Sequence, residues 1–142
     1  MRFMMLVKAN KDSEAGVLPT RELVAEMGKF NEAMLQAGVM LAGEGLHASS
    51  KGFRVRYSGD ARAVTNGPFA ATEELVAGFW IIEVPSREEA VAWATRVPFR
   101  EGEVEVRQVF EASDFPADVL PPDEAAREQH RRDEQQRTTA RR

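Results

Sequence analysis

The chain has no cysteine, only two histidines (His47 and His130), a single tyrosine and no long unbroken apolar run. The missing cysteines exclude disulfides, thiolate nucleophiles and any zinc site built on sulfur. There is no His pair at ligand spacing such as H-x-x-x-H. A metal would need His47 together with scattered carboxylates, so neither a metal nor a cofactor is expected. The glycines at 43, 45 and 59 lack the spacing of a phosphate-binding loop. The opening "MRFMMLVKAN" holds too short an apolar run for a secretory signal, and nothing approaches a membrane span. A cytoplasmic protein without membrane contact is expected, and the lack of cysteine suits a reducing compartment.

What is present describes one folded domain and a tail. At 142 residues and 43% hydrophobic content the chain can bury a core without covalent staples. The net charge is −4 and the acids are spread along the chain, so no nucleic-acid footprint is expected, although the charge is unevenly divided. Residues 123–142 hold five acids and six bases, which leaves 18 acids and 13 bases for the rest. After Leu120 there is no aromatic residue and no Leu, Ile or Val. The expected division is a domain over 1–115 and a polar, charged tail over 116–142, either a solvated helix or disordered. Its arginines could touch an acidic partner, though a solubilising tail is the simpler reading.

Residues 2–9 ("RFMMLVKA") form a strand pattern that is apolar on both faces. A loop with Gly16 and Pro19 follows. Thr20 then caps a helix with an apolar stripe of Leu23, Met27, Phe30, Met34 and Ala37, and Gly38 stands where a helix end favours a left-handed residue. Residues 39–46 read as a second strand. Residues 51–57 ("KGFRVRY") alternate like a half-exposed strand, with Ser58-Gly59-Asp60 turning it back on residues 62–65 as a hairpin. The run at 78–84 ("GFWIIEV") is again apolar on both faces, and Pro85 ends it. Ser86 and Glu89 form a capping-box pattern before a helix burying Ala90, Val91, Trp93, Ala94 and Val97, which stops before Pro98. Residues 103–110 make the last strand. The six methionines are best read as core filler.

The order β-α-β, hairpin insert, β-α-β is the split arrangement of an α+β ferredoxin-like antiparallel sheet, βαββαβ with a hairpin inserted. The two strands apolar on both faces would be central. Helices cover one face of such a sheet. The other would carry a row drawn from Met4, Leu6, Trp80, Ile82 and neighbours, or the opposite row, and a two-fold dimer packed sheet on sheet is the simplest cover. A homodimer is therefore expected.

The run Asn66-Gly67-Pro68-Phe69 followed by "AATEELVAGFWIIEV", then "SREEAVAWATRVP" and "EVEVRQVFEASDF", is accompanied by "GLHASS" at 45–50 and the opening "RFMMLVKA". Together these resemble the YCII-related family, in the subgroup named for an Asp-Gly-Pro-Phe (DGPF) motif, from residue 1 to about 115. The resemblance implies a ferredoxin-like domain that pairs into a dimeric α/β barrel, in mostly bacterial, uncharacterised proteins. Members have been suspected of enzymatic activity because of a histidine and an aspartate in a cleft. Relatives beside or fused to sigma-factor-like proteins imply regulation or ligand sensing. In this chain Asn66 stands where the motif has aspartate, and an amide cannot stabilise a charged histidine.

His47 is the one histidine inside the domain, at a strand end beside Glu44, Ser49 and Ser50. It would be a general base or a ligand hydrogen-bonder; the plainer alternative is a loop histidine bonded to a backbone carbonyl. Asn66, Gly67 and Pro68 have a structural explanation as a turn in which Asn and Gly tolerate positive φ. Phe69 would then plug the core or line a cleft. Arg54 and Arg56 project together from the hairpin and could hold an anion, although exposed strand arginines are commonly just solvated. Two functions remain open. One is a non-catalytic, regulatory dimer binding a small molecule through Asn66, Phe69, Arg54, Arg56 and Ser49. The other is a lyase- or isomerase-like enzyme with His47 as acid–base catalyst, which needs His47 and Asn66 within hydrogen-bond or one-water reach.

Overall fold

The structure is a computed structural model that describes residues 1–140. Among these the chain runs β1 (Arg2–Lys8), α1 (Lys11–Glu14), α2 (Arg21–Gln36), β2 (Met40–Gly45), β3 (Phe53–Ser58), β4 (Ala61–Asn66), β5 (Val76–Glu83), α3 (Arg87–Thr95), β6 (Val104–Gln108) and α4 (Pro122–Ala140). Single 3-10 turns lie at Ser49–Lys51, Thr72–Glu74 and Ala112–Asp114. The chain divides into two compact units, Met1–Gln108 and the residues from Val109 onward.

The first unit is an α+β fold around a four-stranded sheet in the order β2-β5-β1-β6, with antiparallel pairings throughout. The two strands apolar on both faces, β1 and β5, are the central ones, as ferredoxin-like topology requires. The hairpin β3–β4 forms a separate two-stranded sheet, inserted in sequence between β2 and β5.

Register decides which residues share a face. Phe3 pairs with Ile82 and Met5 with Trp80, while Met4 pairs with Ile81 and Leu6 with Phe79. Side chains alternate along a strand, so Phe3, Met5, Trp80 and Ile82 form one row and Met4, Leu6, Phe79 and Ile81 the other. This corrects the row that grouped Met4 and Leu6 with Trp80 and Ile82. Phe30 and Met34 of α2 and Ala90 of α3 pack on the first row and close a core in which Met5, Met34 and Ile82 are fully buried. The second row stays half-buried in the single chain.

Aromatic contacts organise that core. The Phe30 ring meets Trp80 edge-on at 5.4 Å and Trp93 at 6.3 Å between centroids. The Trp80 Nε1–H donates to Asn31 Oδ1 at 2.9 Å, so the indole's one polar atom is satisfied from α2.

The helix ends follow their caps. Thr20 Oγ1 accepts from the Leu23 amide at 3.1 Å, and Gly38 takes φ of 72° just past the C-cap. Ser86 Oγ accepts from the Glu89 amide at 3.2 Å. The return bond from Glu89 is absent among the described residues, so only half of the expected box forms. Ala37 and Val91, expected in the core, are exposed, Val91 by 50%. A second departure is α1, in a stretch expected to be loop. Asn10 and Ser13 form a reciprocal box, Oδ1 accepting from Ser13 N and Oγ from Asn10 N, each at 2.9 Å.

In the second unit, Glu111 N–H donates to Asp114 Oδ2 at 2.7 Å, and the Phe110 and Phe115 rings meet at 5.1 Å. Arg132 on α4 reaches back to Glu111 Oε2 at 2.7 Å and to the Phe110 carbonyl at 3.3 Å. The exposed side of α4 is laced by pairs at three- and four-residue spacing, including Arg131–Glu128 and Arg137–Glu134. Among the described residues no helix is long and apolar enough to cross a membrane.

The burial pattern sets an expected contrast. Met34→Ala should cost about 2–5 kcal/mol, and Val91→Ala should stay within about 0.5 kcal/mol of the parent. Urea unfolding followed by circular dichroism checks both.

Candidate binding site

The hairpin turns through Gly59-Asp60, with Gly59 at φ of 57° in the first central position and Ser58 paired with Ala61. Its register sets Arg54 opposite Thr65 and Arg56 opposite Ala63, which puts these four on one face. Phe53, Val55, Tyr57, Arg62, Val64 and Asn66 share the other. Every side chain of the hairpin except Val55 is exposed.

Beyond β4 the chain passes through Asn66-Gly67-Pro68-Phe69, with a cis bond between Gly67 and Pro68. The Gly67 amide donates to the Gly52 carbonyl at 3.0 Å. A Cβ added at Gly67 would lie 1.8 Å from the Ser49 carbonyl oxygen, which no side chain can do. The expectation that Asn66 and Gly67 serve a positive-φ turn is thereby corrected. Neither residue adopts positive φ, which in this stretch falls to Ala71 at 59°. Glycine is needed at 67 because two backbones touch there.

Ser49 holds this contact from the other side. Its hydroxyl donates to Glu14 Oε1 and accepts from the Phe69 amide at 3.1 Å, and its own amide donates to Glu14 Oε2 at 2.8 Å. One serine thus joins α1, the 3-10 turn and the Phe69 loop. The Ser49 hydroxyl chiefly, and its amide second, hold the Glu14 carboxyl below its ordinary pKa of 4.5, against a smaller opposing effect of burial.

Phe69 is the floor on which Arg54 rests. The guanidinium carbon lies 3.8 Å from the ring centroid. An open groove of about 480 Å3 is lined here by Arg54, Val55, Arg56, Tyr57, Thr65 and Phe69. Of the residues singled out in the sequence, Arg54, Arg56 and Phe69 meet at this groove, and Ser49 stands behind it with its hydroxyl engaged on both sides.

Asn66 and His47 do not line the groove. Asn66 ends β4 opposite Phe53. His47 lies between β2 and the Ser49 turn. Both are exposed, and among the described residues neither side chain makes a hydrogen bond. Glu14 and Thr65 were not anticipated. The only local trace of Glu14 is the Asn10-x-x-Ser13 pattern that starts α1. Among the described residues no three His, Cys, Asp or Glu side chains gather as metal ligands would.

The YCII-related domain matches the chain over residues 1–113. No curated protein matches it. Among solved structures, 5-chloro-2-hydroxyhydroquinone dehydrochlorinase (TftG) from Burkholderia phenoliruptrix AC1100, in complex with 2,5-dihydroxybenzoquinone, is similar with a TM-score of 0.42 and 12% sequence identity. The likeness covers 82% of this chain and 100% of that one. Nothing of that enzyme's chemistry transfers to this chain at such a distance.

Two outcomes follow from the Ser49 junction. Gly67→Ala should destabilise the unit by about 1–3 kcal/mol, as overpacking does, because the added methyl meets backbone that cannot rotate away. Calorimetric unfolding measures it. Glu14→Gln should lower the unfolding midpoint at neutral pH, since the two Ser49 donors go to different carboxylate oxygens and an amide replaces one of these with an NH2 that cannot accept. A depressed native pKa contributes stability above the ordinary value of 4.5 and loses it as pH falls through the lowered one. The gap between parent and variant should therefore narrow on acidification from roughly pH 6 to pH 3. A gap that stays constant across that range would contradict an ionised bridge.

Proposed function

Since the chain belongs to the YCII-related family, we propose that it is a homodimeric, non-catalytic protein that binds a small molecule in the groove between the β3–β4 hairpin and Phe69. In this reading Asn66-Gly67-Pro68-Phe69 is an asparagine variant of the Asp-Gly-Pro-Phe motif, kept for its backbone contact with Ser49 and for the position of Phe69. Binding would serve regulation, with a sigma-factor-like protein as one partner class.

The observation that carries the proposal is the Arg54–Phe69 stack at 3.8 Å on the groove wall. A cationic donor is held over an aromatic ring beside an open space, which is how a ligand site keeps its donors ready. The enzymatic alternative has less support. A histidine base needs a partner that fixes its tautomer, and His47 has no hydrogen bond among the described residues. Asn66, an amide, supplies no acid.

The dimer rests on the half-buried row Met4, Leu6, Phe79 and Ile81, which the two core helices α2 and α3 leave uncovered. Sheet-on-sheet packing would bury it.

Sedimentation at micromolar concentration should give twice the mass of one chain, and Leu6→Glu should reduce it to one. A single-chain mass for the parent would end the dimer reading. Crystals soaked with a metabolite library should show density between Arg54, Arg56 and Phe69, with the soaked compound unchanged. Density on His47 together with consumption of the compound would restore the enzyme.

A further inference from the structure

Two guanidinium groups stand on one face of the hairpin without a carboxylate. Arg54 and Arg56 alternate along β3 with Val55 between them, so their Cα atoms lie about 7 Å apart on the same side of the pleat. Both are exposed, and neither takes part in an ion pair among the described residues. The surrounding segment is strongly basic. Residues 51–66 carry Lys51, Arg54, Arg56 and Arg62 against Asp60, a net +3 within a chain of net −4. Positive charge is thus concentrated on one small arm of an acidic protein.

Exposed arginines are ordinarily solvated and nothing more. Arg54, Arg62 and Arg96 each lie over an aromatic ring, but of the three only Arg54, 3.8 Å above Phe69, also lines the groove. Stacking uses the flat face of the guanidinium and leaves its N–H donors free at the edge. The ring beneath it restricts where the group can move, so less freedom remains to be lost when an anion docks. Phe69 is itself fixed by the hydrogen bond its backbone amide donates to the Ser49 hydroxyl, and Glu14 holds Ser49 in turn.

We propose that the groove takes a small organic dianion, a dicarboxylate of roughly the size of isophthalate. One carboxylate is received edge-on by Arg54 in the fork geometry guanidinium favours, the second by Arg56, and the apolar body lies against Phe69. Thr65, on the same face as Arg54, adds a hydroxyl. Ser49 and Glu14 are positioning residues that keep Phe69 under Arg54. This inference rests on the groove being a binding site, as set out above, and adds the class of ligand.

The test is isothermal titration of the full chain at low ionic strength with isophthalate, benzoate and benzamide, the fold of each variant being checked by circular dichroism. Isophthalate should bind saturably, once per chain, with benzoate at least about tenfold weaker and benzamide weaker still. Arg54→Leu and Arg56→Leu should each reduce isophthalate affinity by about ten- to a hundredfold. Arg87→Leu removes an equal charge from the exposed start of α3, outside the groove lining, and should stay within about twofold of the parent. Ser49→Ala should weaken isophthalate while keeping its preference over benzoate.

Equal affinity for isophthalate and benzoate, or an Arg87→Leu loss matching that of Arg54→Leu, would reduce the effect to diffuse charge attraction and overturn the proposal. Benzamide binding as tightly as isophthalate, unchanged in Arg54→Leu and lost in Phe69→Ala, would also overturn it while leaving the groove a binding site. Failure of all three probes to bind would remove the dianion inference, and an empty groove in the library soaks would remove the site with it.

Discussion

The pairing of Phe3 with Ile82 and of Met4 with Ile81 is the constraint on which the first unit depends. A slip of one residue between β1 and β5 would send Trp80 away from Phe30 and Asn31 and turn Phe79 toward α2. Both central strands are apolar on both faces, so alternation alone cannot oppose such a slip. Shape has to do so. Gly43 pairs with Trp80, and a Cβ at that glycine would lie 2.7 Å from the Trp80 ring and 2.6 Å from the Met40 terminal methyl. Gly78 is equally confined, its missing Cβ falling 3.0 Å from the Glu44 carbonyl oxygen. These contacts fix the register of β5 against β2, and with it the face of β5 that carries Trp80 toward Phe30.

From that frame the hairpin and its loops gain their place through hydrogen bonds over long sequence distances. Ser49 reaches back 35 residues to Glu14 and forward 20 to Phe69. The hydroxyl suits the post because it donates in one direction and accepts from the other at once. An alanine would leave the Phe69 amide and one Glu14 oxygen without their partner.

Much of the fold could be read from the chain because its signals are local. Thr20 and Ser86 announce helix starts, Gly38 a helix end and Gly59 a tight turn, and each does so by the dihedral angles or hydrogen bonds its own chemistry favours. The β-α-β, hairpin, β-α-β order follows from these together with the alternation of apolar residues. The face assignment of the central strands did not, since a pattern apolar on both sides carries no phase. The helix α1 was missed because four residues are too few to show a period, although Asn10 and Ser13 mark its start. Gly67 was singled out for the wrong reason: a sequence shows that a glycine is present, and only packing shows whether conformation or contact requires it. Arg54, Arg56 and Phe69 were legible as candidates by residue type. That they meet, while His47 and Asn66 stand outside the groove, depends on how the Phe69 loop folds back onto the hairpin.

The placement of the indoles has an optical consequence. The chain's two tryptophans, Trp80 and Trp93, both stand edge-on to Phe30, in the core beneath the sheet. The groove is lined instead by the single tyrosine and by Phe69. The tryptophans therefore stand in the helix–sheet interior and outside the groove lining, while Tyr57 absorbs at the groove itself. The molecule thus carries an intrinsic reporter of its interior in two indoles and one of its hairpin in a single phenol.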